Sequence, residues 1–64
     1  LDGLAIATDT AIAQAELAVI LDAANKDDEA RALLRRALPV LRETVLPQEV
    51  HRAAAERLAT RLGV

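Results

Sequence analysis

A chain of 64 residues, 53% hydrophobic, with a formal charge of −2, one histidine, and neither cysteine nor any aromatic residue, makes one small domain. Those gaps exclude a disulfide framework, thiolate or multi-histidine metal sites, base stacking on aromatic rings and aromatic interface anchors. Charge is uneven, since residues 1–25 carry Asp2, Asp9, Glu16 and Asp22 with no base, while residues 26–64 carry eight bases and six acids; that excess is too small to be a nucleic-acid footprint by itself.

The first predicted helix covers residues 3–24. Alanine, the strongest helix former, dominates it. Its large side chains do not form one stripe: Leu17 and Leu21 share a face with Ile6, while Ile12 and Val19 lie on another. A helix that is apolar most of the way round is expected to be contacted on several sides. Thr8, Asp9 and Thr10 form its weakest stretch, because such side chains compete for backbone hydrogen bonds, and a helix start there is the alternative. The apolar run "AIAQAELAVILDAA" is interrupted by Gln14, Glu16 and Asp22 and falls short of the roughly eighteen uninterrupted apolar residues of a membrane span. The reading is a soluble, cytoplasmic chain without a membrane segment or secretory signal.

"NKDDEA", residues 25–30, marks the clearest boundary. Asn25 is placed to cap the next helix, with Asp27, Asp28 and Glu29 in its first turn and Asp27 paired to Arg31. The second helix covers 27–45. Ala30, Leu33, Leu34, Ala37, Leu38, Leu41 and Val45 follow the spacing of one buried face, and Pro39 falls opposite, where a bend turns its convex side to solvent. Pro47 suits the first position of a third helix over 47–62, because the free N–H groups of a helix start make proline harmless there. Val50, Ala54, Leu58 and Leu62 form its stripe, and Gly63 ends it. Leu34, Leu38, Leu41, Leu58 and Leu62 are expected inside, and Arg35, Arg36 and Glu56 outside.

The fold class is therefore all-α: a small three-helix bundle, or a hairpin plus one helix, over a single domain 1–64, either a fragment of a larger domain or an oligomer. Nineteen leucine, isoleucine and valine residues make a core too small to stabilise the chain comfortably, which implies a copy of itself or the remainder of a longer protein as a partner. The start at Leu1 fits a processed, truncated or partly ordered chain.

The stretch "DDEARALLRRALPVLRETVLPQEVHRAAAERLATRLGV" resembles the helical end of the RNA polymerase core of bacterial DnaG-type primases. That family shows an acidic helix start, an arginine-containing turn, an "ALP" motif in an amphipathic helix, a short turn and a last helix closing like "LAxxLGv". Asp28, Arg31, Leu33, Ala37, Leu38, Pro39, Leu41, Leu58, Leu62 and Gly63 fall where similar residues are expected. Ala53, Ala54 and Ala55 stand where the family has an aromatic or larger residue. The resemblance implies a non-catalytic helical subdomain that supports primer synthesis in DNA replication by packing and partner contacts. The family's catalytic Toprim fold and zinc ribbon have no counterpart here, so none of its active residues transfers.

No catalytic, cofactor or metal residue is assigned, and no cofactor is expected. His51 lies at the edge of the third helix's stripe; general-base work needs a partner and a pocket, and a packing or half-exposed structural histidine is the plainer reading. "DDE" at 27–29 reads as a solvated helix start, since consecutive helical side chains diverge. Arg31, Arg35 and Arg42 flank the apolar face of the second helix and are the candidate contacts to phosphate or to an acidic partner; a solvated flank whose stems cover the core edge competes with that reading. Three functions stand side by side: a primase subdomain, an independent dimerisation or docking module, and a small nucleic-acid-binding domain.

Overall fold

A computed structural model describes residues 3–64, with side chains from Ile6 onward. Among the described residues the chain is all-α, with α1 over Gly3–Ala23, α2 over Asp27–Thr44 and α3 over Val50–Leu62. α1 runs without a break through Thr8–Thr10. α2 continues through Pro39, which lies on the exposed side as its spacing requires. There the carbonyl of Arg35 loses its usual i+4 donor, because proline carries no N–H.

The boundaries differ from expectation in two places, each for a local reason. Asn25 does not cap α2. It takes a left-handed conformation (φ 63°) just past α1. The amide of Lys26 then reaches the carbonyl of Leu21 (2.8 Å), and the amide of Asn25 reaches that of Asp22 (3.0 Å). This pair of bonds is the Schellman closure of a helix, a role asparagine can take. α2 begins after Lys26 without a side-chain cap. Pro47 does not open α3 either. It sits second in a turn closed by the Glu49 amide on the Leu46 carbonyl (3.0 Å), where its fixed φ is equally well suited. The cap of α3 is Glu49, whose carboxylate accepts from the Arg52 amide (2.8 Å). Gly63 (φ 77°) closes α3 with a second Schellman pair, Val64 N–H to Ala59 O (2.8 Å) and Gly63 N–H to Thr60 O (3.4 Å).

α1 and α2 form an antiparallel hairpin and make the main contact. α3 lies along one side of it, antiparallel to α2: Arg31 near the start of α2 meets Leu62 at the end of α3, and Arg42 near the end of α2 meets Glu56. The core holds Ala11, Ala15 and Ala18 from α1, Ala30, Leu34, Ala37, Leu38 and Leu41 from α2, and Ala55, Leu58 and Ala59 from α3. Four large side chains in that set contribute about 1.5–3 kcal/mol each on burial, whereas an alanine methyl contributes about 0.8 kcal/mol. Leu34, Leu38, Leu41 and Leu58 are inside and Arg35 and Arg36 outside, as read from spacing. Leu62 and Glu56 are instead half-buried, and Val50 is 74% exposed. Val50 is the first residue of α3 and lies at its rim, and the inward face is Ala55, Leu58 and Ala59.

Candidate functional site

The charged residues are used mainly to fasten α3. Arg31 donates from Nε to the Leu62 carbonyl (2.9 Å) and from Nη1 to Asp28 (2.8 Å). The ion pair expected with Asp27 therefore forms one residue later, at i,i−3. The carbonyl it reaches is one of those left free at a helix C-terminus, where a cation is favoured. Arg42 grips Glu56 with two parallel bonds (3.0 and 2.7 Å). The pair raises the Arg42 pKa and holds the Glu56 carboxyl below its ordinary value, in each case first through the side-chain hydrogen bond. Arg52 donates to the Val45 carbonyl at the end of α2 (3.0 Å), and its buried Nε, 3.5 Å from Glu56, makes no hydrogen bond. Arg61 pairs with Asp22 of α1. Fixed guanidinium forks suit this work better than lysine would.

Of the three arginines singled out by sequence, Arg31 and Arg42 thus hold α3 to α2. Arg35 is exposed and has no polar partner among the described residues. The structure does not gather the three into one cation site. Replacing all three together would loosen α3 as well as remove a surface charge.

His51 does acquire partners. Its Nδ1 lies 2.7 Å from Glu49 Oε2 and its Nε2 3.6 Å from Glu16 Oε1 on α1. An ionised carboxylate only accepts, so Nδ1 carries the proton and donates. The Glu49 hydrogen bond is the main cause of a raised His51 pKa. Glu49 itself is held below its ordinary value, first by the Arg52 amide and then by His51. Sequence reasoning overlooked this Glu49–His51–Glu16 link because glutamate is an uncommon cap and Glu16 is distant in the chain. The hollow beside it, lined by Ala15, Glu16, Val19, His51, Ala54 and Ala55, is only about 40 Å³. That is room for about one water, far below the 300 Å³ or more of ordinary ligand pockets. The first half of a general base is present without a place for its substrate.

No family model, curated protein or solved structure matches this chain. Asp27, Asp28 and Glu29 open α2 exposed to solvent, and no three His, Asp or Glu side chains converge as metal ligands among the described residues. No helix among those residues is long and apolar enough to cross a membrane. The conspicuous feature is on α1. Ile6, Leu17 and Ile20 are 62%, 46% and 63% exposed, while the alanines behind them are buried. With Thr10 and Ala13 they alternate at spacings of four and three residues, the pattern of a seam between helices. On the side of the hairpin away from α3, this stripe runs into a groove of about 380 Å³ lined by Leu17, Leu21, Glu29, Ala32, Leu33 and Arg36.

Proposed function

We propose that this chain is a non-catalytic helical docking module whose binding surface is the outward apolar stripe of α1 and the adjoining α1–α2 groove. The observation that supports it is the arrangement of α1: Ala11, Ala15 and Ala18 are buried, Ile12 and Leu21 are half-buried against the core, and Ile6, Leu17, Val19 and Ile20 are exposed. Apolar exposure is ordinary when scattered, but a seam-like row on one helix beside an apolar groove marks an interaction surface. Catalysis by the chain alone has no support in its geometry, because a reaction needs donors and acceptors preorganised around a reacting atom. The His51 hollow is too small for that purpose.

In the setting suggested by the primase-like motif, this surface would seat the helices against the remainder of a longer, Toprim-containing chain. Support for that setting is confined to the motif residues themselves. The independent dimerisation or docking module needs only the exposed surface itself.

The test is the paired replacement of Leu17 and Ile20 by serine. The isolated chain should keep its helicity by circular dichroism, with its unfolding midpoint altered by no more than about 0.5 kcal/mol, as for exposed sites. Its association, with itself or with the remainder of a parent protein added in trans, should be lost. A variant that unfolds would place these residues in the monomer core and overturn the reading. Primer synthesis by the purified chain would overturn its non-catalytic part.

A further inference from the structure

We infer that the occupant of the α1–α2 groove is a second copy of this chain, related by a two-fold axis that sets α2 antiparallel to its twin. The inference rests on the docking-surface reading above and adds the partner. The rim of the groove is self-complementary. Glu29 and Arg36 both line it, with Ala32 and Leu33 between them. They lie seven residues apart on α2, which is two turns on the same face of a helix. A two-fold axis passing between Ala32 and Leu33 brings Glu29 of each copy beside Arg36 of the other, so one surface supplies both halves of two ion pairs. A closed dimer requires this kind of self-matching patch. Small Ala32 at the centre permits close approach of the two α2 helices. Leu33, Leu17 and Leu21 supply the apolar middle, and the stripe Ile6–Leu17–Ile20 extends it along α1.

Other charges on α1 do not oppose this arrangement. Asp9 and Glu16 border the stripe on its far edge by helical spacing, and Glu16 already faces His51 at 3.6 Å. Asp22 is taken by Arg61. A strongly basic helix from another protein would find one acid and one base on the groove rim, a poorer match than the chain offers itself. On α3's side of the hairpin the arginines are mostly committed within the chain, which leaves the groove side as the free face.

The experiment is a charge swap read by sedimentation from micromolar to millimolar protein, with circular dichroism on each variant. The unaltered chain should shift from monomer to dimer with rising concentration. Glu29→Arg alone and Arg36→Glu alone each replace two attractions by two repulsions, and each should weaken dimerisation by about tenfold at low salt. The double variant restores opposite charges across the axis and should recover most of that loss. Leu17→Asp, and independently Ile20→Asp, should abolish the dimer while the helices persist. A chain that stays monomeric throughout overturns the second copy as occupant and leaves the docking surface itself standing. A dimer indifferent to the single reversals, or not rescued by the double one, overturns the two-fold arrangement. A dimer indifferent to both aspartate substitutions overturns this inference and the docking surface together.

Discussion

Along α2 the large side chains point inward and the charged ones outward: Leu34, Leu38 and Leu41 are buried, and Arg35, Arg36 and Glu43 are exposed. Along α1 the arrangement is inverted. Ala11, Ala15 and Ala18 are buried, and Ile6, Leu17, Val19 and Ile20 face out, with only Ile12 and Leu21 half-buried among the large side chains described. Both helices are rich in alanine and aliphatic residues, so composition does not separate them. The difference lies in what each is asked to contact. α2 has α1 and α3 within the chain and spends its large side chains there. α1 presents a smooth alanine strip to the hairpin, which lets the two helices come close. Its bulk is left for a surface that this chain does not itself cover. A helix with no clear amphipathic face is therefore informative: it has two apolar faces, one turned to the core and one exposed.

The comparison breaks if the two helices respond alike to substitution. Leu41→Ala or Leu34→Ala in α2 should cost about 2–5 kcal/mol each, by lost burial and the cavity left behind, measured by urea unfolding. In α1 the sensitive change runs the other way. Ala18→Leu forces bulk into a fully buried position and should cost about 1–3 kcal/mol. If Ala18→Leu stabilises the chain, the alanine strip is an underfilled core rather than a fitted contact.

The two Schellman endings offer a finer comparison. Gly63→Ala places a side chain on a left-handed backbone and should cost about 1–2 kcal/mol. An added Cβ there meets nothing within 4 Å, so the penalty is conformational rather than steric crowding. At the end of α1, Asn25→Gly should stabilise by a smaller amount, since asparagine already tolerates this conformation. An equal response at both sites would show that one ending is not held in the native state.

The smallest effect concerns how α3 begins. Glu49 has a lowered folded pKa against an ordinary 4.5, so its contribution is present above that value and fades as pH falls through the lowered one. His51 has a raised folded pKa against an ordinary 6.5, so its contribution is complete below 6.5 and fades as pH rises through the raised one. Both act fully between about 4.5 and 6.5, and thermal stability should be greatest there. His51→Gln should remove the decline on the alkaline side and shrink the one on the acid side without abolishing it, because the Arg52 amide still holds Glu49. Glu16, the other carboxylate facing the ring, should contribute a lesser part, visible as a smaller decline in Glu16→Gln. A profile unchanged by His51→Gln would show that the link does not bind α3.

The elements were largely legible in the residues. Periodicity gave α2 its buried face and put Pro39 outside, because 3.6-residue spacing in a strongly amphipathic segment admits one phase. The three-helix order and the Gly63 stop follow from local chemistry as well. Reading failed where two local rules were both satisfied. Asn25 suits the start of α2 and the left-handed end of α1 equally. Pro47 suits the first position of a helix and the second position of a turn. In each case three residues or fewer separate the options, and the backbone hydrogen bonds that decide between them are made only once the flanking helices are in place.

Sequence alone determined that this is a helical chain whose middle helix has a core face, with no aromatic anchor and no cysteine chemistry. Tertiary structure decided the roles of its charges and of α1. Arg31 and Arg42 read as a free flank until α3 folds back on them, since a contact across the chain leaves no trace in the spacing of one helix. α1 offers apolar residues in every direction, and nothing local chooses between them. The choice falls to packing: Ala11, Ala15 and Ala18 fill the contact with α2, Ile12 and Leu21 flank it half-buried, and Ile6, Leu17, Val19 and Ile20 are turned outward.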